Sequence, residues 1–294
     1  MRAVLGAGSD AWGIWSAYHP AQIAWPRYLD EVAEAGFRYV EPGVYGYMPT
    51  DPGQMRVALA TRGLAVPGGT FFADLRRIGD AELAESFART SDWLAAIGAR
   101  FIVVLDDFWR DPETGKSRSP MRLDRAGWTR VVARLNNCGT RARAQGLRLV
   151  FHPHCDATIE TEEDIARLLA LTDPGLVDLC LDTGHHLYAG GDPVAFFLRH
   201  ASRIPYLHLK SMNAGMLATV RRDRLPWAQA VARGVTEELS RGAVNIPAFA
   251  AALDSVHYEG FAIFEQDMFP CDPSVPLPLA MRTINWLTEL GFVR

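Results

Sequence analysis

Lysine is nearly absent from this 294-residue chain: Lys116 and Lys210 are the only two, so arginine carries almost all of the positive charge. The formal net charge is -4, and no cluster of basic residues marks a surface for nucleic acid. We therefore expect no nucleic-acid partner. Because lysine is so rare, Lys210 is of interest, since it ends an apolar segment that has the pattern of a strand.

Cysteine is also scarce, and the four cysteines are widely spaced, with no C-x-x-C pair. A chain of this size needs no disulfide scaffold, so reduced thiols in a cytoplasmic protein are expected. No apolar run is long enough to span a bilayer, and the first residues lack the apolar region of a signal peptide. We expect a cytoplasmic protein without a membrane partner, and we leave open whether it forms a homo-oligomer.

Short apolar segments alternate with amphipathic segments from one end of the chain to the other. Several amphipathic segments begin with helix-start residues, such as Asp51–Pro52 and Asp192–Pro193, and several are followed by glycine. Eight such units in order predict parallel strands joined by right-handed crossovers, and eight strands can close a barrel. We therefore predict a single α/β domain over residues 1–294, a (β/α)8 TIM barrel.

The predicted strands are Val4–Ala7, Arg38–Glu41, Ala65–Thr70, Arg100–Leu105, Arg148–His152, Val177–Asp182, Ile204–Lys210 and Gly260–Glu265. The predicted helices are Pro26–Ala35, Asp51–Arg62, Asp80–Ile97, Asp124–Gln145, Thr161–Leu171, Pro193–His200, Ile246–Val256 and Leu277–Leu290. Two long loops, around 106–120 and 211–244, are candidates for covering a site.

Polar side chains recur at the ends of several predicted strands. Successive side chains on a strand point to opposite faces, so an aliphatic set that meets the helices leaves the other set facing the barrel interior. By this rule Glu41, His152, Asp182, His208 and Glu265 all point inward near the C-terminal ends of their strands. Barrel enzymes place their chemistry there. A single polar strand end is equally well explained as an exposed rim residue, but agreement among several strands favours a site.

Two carboxylates and two imidazoles are typical ligands of Mn²⁺, Co²⁺, Fe²⁺ or Zn²⁺, whereas Mg²⁺ is less favoured by imidazole. The set His152, Asp182, His208 and Glu265 would leave open positions on a metal that prefers six ligands. A substrate could bind there through a carbonyl and a neighbouring hydroxyl. One divalent metal ion is therefore the predicted cofactor.

Four motifs carry a family resemblance: VFHPH (150–154), LDTGHHLYAGGDP (181–193), YLHLKS (206–211) and FEQD (264–267). They are similar to the sugar phosphate isomerase/epimerase superfamily, the xylose-isomerase-like TIM barrels, and within it to inosose (2-keto-myo-inositol) dehydratases. The resemblance implies that Asp182, His208 and Glu265 bind the metal and that His185 contacts substrate. The chain departs from the family where HPH replaces a carboxylate. His152 takes that place, with His154 as the alternative, and Mn²⁺ is the favoured ion.

The predicted chemistry is enolisation of a keto-sugar or keto-inositol, a small polyhydroxylated substrate. A metal at the carbonyl oxygen would stabilise the developing enediolate, and a side-chain base would remove the α-proton. Candidate bases are Glu41, His185 and Glu265. Lys210 is a candidate for holding or protonating a substrate hydroxyl, with a salt bridge that closes the barrel top as the alternative.

The fate of the enediolate is not determined by the residues. The family resemblance favours dehydration; a keto-sugar isomerase or epimerase and a 3-keto-glycoside lyase are the alternative enzymes, and a non-catalytic barrel is the alternative outside enzymes. Substrate contacts are predicted for four residues near the mouth of the barrel, on polar or aromatic character alone. They are His154, Asp106, Trp12 and Tyr47.

Overall fold

A computed structural model describes residues 2–294 of the chain. The strands, numbered in chain order, are β1 (Arg2–Ala7), β2 (Gly68–Ala73), β3 (Phe101–Asp106), β4 (Arg148–Phe151), β5 (Val177–Asp182), β6 (Tyr206–Leu209), β7 (Ser211–Met212), β8 (Thr236–Glu237) and β9 (Glu259–Phe264). The helices are α1 (Trp25–Ala35), α2 (Pro52–Ala60), α3 (Asp80–Ala96), α4 (Arg125–Ala144), α5 (Glu162–Leu171), α6 (Thr183–Tyr188), α7 (Pro193–His200), α8 (Ala214–Asp223), α9 (Trp227–Ala232), α10 (Ile246–Ser255) and α11 (Pro276–Glu289).

Seven strands form one parallel sheet in the order β1-β9-β6-β5-β4-β3-β2. The gap between β2 and β1 is bridged by the predicted second strand, which is reduced here to two isolated contacts. Val40 pairs with Ala7 on one side, and Tyr39 pairs with Ala65 on the other. The curled sheet is therefore closed by a short eighth segment, and the prediction of an α/β barrel is confirmed.

The barrel interior is filled by side chains of one strand parity. These residues form an apolar cluster separate from the core between strands and helices. Its buried members are Phe101, Val103, Val150, Cys180, Tyr206, Phe261 and Ile263. The alternate residues of the same strands, such as Leu179 and Leu181, pack in the larger cluster with the helices. This is the alternation from which the inward-facing polar residues were predicted.

The segment after β6 is more structured than the long loop predicted from the sequence. It contains the antiparallel pair β7 and β8 and the helices α8 and α9. Helix α6 was also missed, because it is short and begins directly at the end of β5. Within residues 2–294, no helix combines the length and apolar composition that crossing a membrane requires.

Helix α4 approaches the chain just before β5 so closely that only glycine fits at the contact. A Cβ atom at Gly139 would lie 2.5 Å from the carbonyl oxygen of Leu176. A backbone atom cannot rotate away, so a side chain here would force the helix off the sheet. The contact fixes how α4 packs against the strand that carries Asp182.

We predict that Gly139→Ala destabilises the protein by about 1–3 kcal/mol through overpacking, although alanine is the better helix former. The matched control is Gly215→Ala in α8, where the nearest neighbour of a new Cβ lies 3.6 Å away. That change should be neutral or stabilise by up to about 1 kcal/mol. Urea unfolding measures both. Equal effects at the two positions would contradict the packing argument.

Candidate active site

The four side chains predicted as metal ligands come together at the C-terminal ends of four neighbouring strands. His152 follows β4, Asp182 ends β5, His208 lies in β6 and Glu265 follows β9. One nitrogen or carboxylate oxygen from each lies within 4.8 Å of those of the other three, and every residue is at most 3% exposed. His154, the alternative to His152, lies outside this group, beside Cys155 and His185.

Asp182 has one carboxylate oxygen engaged and one directed into the group. Its Oδ1 atom caps helix α6 by accepting hydrogen bonds from the backbone N–H groups of Gly184 and His185, both at 2.8 Å. Its Oδ2 atom is buried and lies 3.1 Å from Nζ of Lys210 and 3.7 Å from Nε2 of His152. Although burial opposes ionisation, Lys210 and His152 lower the pKa of Asp182. The second oxygen is therefore anionic and faces the other candidate ligands, with Lys210 as its present partner.

Glu41 supports His208 and does not line the cavity, contrary to its prediction as a base. Its Oε1 atom accepts a hydrogen bond from the Tyr206 hydroxyl at 2.7 Å and lies 3.3 Å from Nε2 of His208. The other ring nitrogen of His208 lies 3.1 Å from Oε1 of Glu265. Metal-binding histidines are commonly oriented in this way, by a carboxylate on the nitrogen that does not bind the ion. The correction follows from these contacts: the Glu41 carboxylate is engaged by Tyr206 and His208 and is not among the residues that line the cavity.

Lys210 is the buried cation of the site. Its Nζ atom lies 3.1 Å from Asp182, 2.9 Å from Glu265 and 2.7 Å from Asp267, measured to carboxylate oxygens. Nε2 of His185 lies 2.9 Å away. Burial alone would lower the pKa of Lys210, but these carboxylates raise it well above its usual range. Lys210 therefore does form the salt bridges that were the alternative prediction. The residue also lines the cavity.

Two further histidines border the same cavity in neutral form. Burial, together with His154 and Lys210, lowers the pKa of His185 well below its usual value. Its Nδ1 atom contacts the Cys155 thiol at 2.6 Å, while Nε2 faces Lys210. Burial lowers the pKa of His154 to about 3, and its Nδ1 atom lies 2.7 Å from the carbonyl oxygen of Cys155. His185 is thus a neutral imidazole between a thiol and an ammonium group.

Two acidic residues at the site were missed from the sequence. Burial and the charge of Glu265 raise the pKa of Asp267, although Lys210 opposes them. Burial, Glu265 and Asp267 raise the pKa of Asp10, which follows β1. Asp267 stands two residues after Glu265, a signal that could have been followed. Asp10 lies in a turn after the strand, where alternation no longer applies.

The arrangement fits a divalent cation. Among the described residues, Nδ1 of His152 is buried without a hydrogen-bond partner, which is costly unless something binds it. Oδ2 of Asp182 lies 3.1 Å from Nζ of Lys210, and Nδ1 of His208 lies 3.1 Å from Oε1 of Glu265. Gly8 leaves room for the Glu265 side chain, because a Cβ there would lie 2.6 Å from Cγ of Glu265. Two imidazoles and two carboxylates within 4.8 Å of one another form a donor set suited to a divalent ion.

A cavity of about 510 Å³ opens above these residues. The two long connections meet over it: Phe108 from the segment after β3 and Trp227 from α9 both line it. We call its floor the part of the lining at the strand ends, which includes His152, His154, His185, His208 and Lys210. His154 borders this cavity, and its substrate contact stays a prediction.

Three predicted substrate contacts are corrected, because their side chains do not line this cavity in the described chain. Asp106 shares the strand parity of Ile102 and Val104, faces the helices, and accepts hydrogen bonds from Leu75 and Thr158. The Trp12 and Tyr47 side chains are buried, and each donates its polar hydrogen within the protein, to Glu31 and to the carbonyl of Ile23.

Comparison with known proteins agrees with this geometry. The chain belongs to the xylose isomerase-like TIM barrel family, whose model matches residues 29–290. An inosose dehydratase of Geobacillus kaustophilus (strain HTA426) is 32% identical over 257 residues, which cover 85% of this chain and 81% of that protein.

Two solved structures show the same fold at low identity. A structure of L-ribulose 3-epimerase has a TM-score of 0.73 and 18% identity, and the match covers 98% of this chain and 94% of the other. The IolI protein with a bound zinc atom also has a TM-score of 0.73, with 13% identity and coverage of 99% and 100%.

Asp182→Asn separates the two functions of this side chain. The amide oxygen can still cap α6, whereas the anionic oxygen that faces the ligand group and Lys210 is replaced by an amide NH₂. We predict loss of bound metal and of some stability, because the NH₂ group would face Nζ of Lys210. Asp182→Ala should lose the metal and, in addition, roughly 0.5–2 kcal/mol from the cap. Elemental analysis and thermal unfolding measure the two effects.

Asp192→Asn is the control for this experiment. Asp192 caps α7 in the same way, through hydrogen bonds from Val194 and Ala195, at an exposed position away from the site. Its variant should keep both metal and fold. Full metal occupancy in Asp182→Asn would remove Asp182 from the ligand set.

Proposed function

We propose that this protein is a metal-dependent enzyme that enolises a polyhydroxylated ketone and dehydrates an inosose-type substrate. The observation that carries the proposal is the convergence of His152, Asp182, His208 and Glu265 beside the neutral His185 and the charged Lys210. The likeness to inosose dehydratases over most of the chain supports the substrate class.

The residues proposed to hold the ion are His152, Asp182, His208 and Glu265. When bound, the ion would place positive charge at the carbonyl oxygen of the substrate and so stabilise the negative charge that develops there. Two imidazoles and two carboxylates suit Mn²⁺, Co²⁺, Fe²⁺ or Zn²⁺ better than Mg²⁺, and we propose Mn²⁺ as the native ion. The zinc in the IolI structure shows that this fold accepts a metal of the same group.

His185 is the base in this proposal. It borders the cavity, it is neutral, and its Nε2 atom faces the ammonium group of Lys210 at 2.9 Å. When Lys210 turns its hydrogen bond to the substrate β-hydroxyl, the lone pair of Nε2 removes the proton α to the carbonyl, and the electron pair of that C–H bond forms the enolate. Glu41 takes no direct part, because its carboxylate is already in contact with Tyr206 and His208.

Lys210 is the acid. It gives a proton to the β-hydroxyl, the β C–O bond breaks, and water leaves as the carbonyl forms again. The enolate electron pair thereby becomes the new C=C bond. Because Nζ and Nε2 are 2.9 Å apart, the proton taken by His185 can return to Lys210, and no external acid is required. Three carboxylates around Nζ keep the group charged between turnovers.

A keto-sugar isomerase or epimerase is the second candidate. The shared fold with L-ribulose 3-epimerase favours it, since both reactions begin with the same enolisation. The candidates differ in what happens to the enolate: isomerisation and epimerisation return a proton to carbon, whereas dehydration expels a hydroxyl. A 3-keto-glycoside lyase differs from the first proposal only in the group expelled.

The reaction is tested by incubating the Mn²⁺-loaded protein with 2-keto-myo-inositol. We expect a product lighter by one water, with the absorbance of a conjugated enol or enone, and both should disappear after metal removal. Mass spectrometry and ultraviolet absorbance measure them. A product of unchanged mass with a moved carbonyl would establish an isomerase instead, and absence of solvent deuterium uptake would exclude enolisation of this ketone.

Lys210→Met tests the division of roles between base and acid. Enolisation needs the ion and His185, whereas loss of water also needs Lys210. We therefore predict that deuterium uptake at the α-carbon falls by less than about tenfold, while dehydration falls by about 100-fold or more. Lys116→Met, the change at the exposed second lysine, is the control and should alter neither rate. Equal losses of exchange and dehydration would refute the assignment of Lys210 as the acid.

A further inference from the structure

One phenylalanine is exposed at the mouth of the barrel. Phe72 lies near the end of β2, on the strand parity of Gly68 and Thr70, and it lines the cavity. Its side chain is 43% exposed, whereas its strand neighbours Phe71 and Ala73 are buried. Single exposed apolar residues are common on protein surfaces, so Phe72 indicates a binding surface only together with the rings that continue from it into the cavity.

Phe72 begins a continuous series of rings that reaches the catalytic floor. The Phe72 and Phe108 ring centroids are 5.8 Å apart, those of Phe108 and His154 are 5.2 Å apart, and those of His154 and Trp227 are 5.4 Å apart. Trp227 also packs against His185, with the ring centroids 4.9 Å apart. We refer to Phe72, Phe108 and Trp227 as the aromatic wall.

The aromatic wall is held in place by ionic and backbone contacts. The Arg110 guanidinium pairs with Asp156 at 2.6 Å and donates hydrogen bonds to the carbonyls of Arg224 and Leu225. The other oxygen of Asp156 accepts a hydrogen bond from the backbone N–H of Trp227 at 3.0 Å. The two segments that carry Phe108 and Trp227 are thus joined to each other, and the wall is preformed. A preformed wall lowers the entropic cost of binding.

The acidic groups of the cavity are Asp10, Glu265 and Asp267, which lie with Lys210 at its floor. Other polar lining residues are Arg89, which packs over the Tyr45 ring, 5.7 Å from the centroid, and the hydroxyl-bearing Ser9, Ser16, Thr70, Ser86 and Thr90. Substrate hydroxyls therefore find charged partners at the floor, whereas the three rings of the aromatic wall offer them few hydrogen-bond partners.

The cavity also has more room than a single polyol ring requires. Its volume of about 510 Å³ lies within the range of roughly 300–1,000 Å³ that is typical of sites for drug-sized ligands. A keto-inositol has about a dozen non-hydrogen atoms. A polyol ring seated at the floor would leave the aromatic wall uncovered.

We infer that the natural substrate is a polyhydroxylated keto-ring that carries an aromatic or comparably apolar substituent, with the ring at the floor and the substituent against the aromatic wall. The inference rests on the proposed enolisation at the same site. Burying the substituent removes Phe72 from water and adds contacts that an unsubstituted inosose cannot make.

The test compares the 5-O-benzyl and 5-O-methyl ethers of 2-keto-myo-inositol. Position 5 lies opposite the carbonyl, so neither the acidity of the α-proton nor the leaving hydroxyl differs between the two probes. We expect kcat/KM for deuterium exchange to be about tenfold higher for the benzyl ether, as burial of an aromatic group of this size implies. Phe72→Ser should reduce this ratio to about one.

Met281→Ser is the matched control, because Met281 is also 43% exposed but lies outside the cavity, on α11. Its variant should keep the tenfold ratio. Equal kcat/KM values for the two ethers in the wild-type protein, or a ratio that survives Phe72→Ser, would overturn the inference.

Binding of the same two ethers, measured by isothermal titration calorimetry, decides the inference if no exchange is detected. Tighter binding of the benzyl ether, lost in Phe72→Ser, would support the aromatic wall while the proposed reaction fails. Exchange without any preference for the benzyl ether would support the proposed enolisation and refute the inferred apolar substituent.

Discussion

The ammonium group of Lys210 holds the site together. Three carboxylates, those of Asp182, Glu265 and Asp267, lie within 3.1 Å of Nζ in a region closed to water. Where neither this ammonium group nor a bound metal ion lies among them, their mutual repulsion and the cost of burying charge would separate them or force protonation. Lys210 thereby keeps two proposed metal ligands ionised. Burial and His154, together with Lys210, lower the pKa of His185, so this ammonium group contributes both to the cation site and to the neutral form of the proposed base.

The pair of histidines at 152 and 154 illustrates how a change in one ligand can be accommodated. An imidazole in place of a carboxylate makes the ligand set less negative, and Lys210 makes its surroundings still more positive. Such a site would hold a cation less tightly and polarise a bound carbonyl more strongly. The carboxylate of Glu41 partly compensates, because it lies against the second nitrogen of His208 and favours the orientation that ligation requires.

The cavity joins two kinds of surface. Its floor contains titratable groups fixed by strand ends, and its wall contains aromatic rings carried by the connections after β3 and β6. The floor would determine which bond reacts, and the wall would determine which substrates bind well. This division is typical of barrels, in which strands position catalytic groups and loops vary the specificity.

The sequence alone determined the barrel, because eight repeats of strand and helix leave few alternatives, and it determined the inward direction of His152, Asp182, His208 and Glu265. Strand alternation is local, so it can be read without knowing the fold. The same alternation, applied to β3, would have predicted that Asp106 faces the helices and not the interior. The distances between side chains were decided only by the tertiary structure, which placed Glu41 against His208 and brought Asp10 near Asp267. Those relations depend on how strands far apart in the chain pack together, and no local pattern records them.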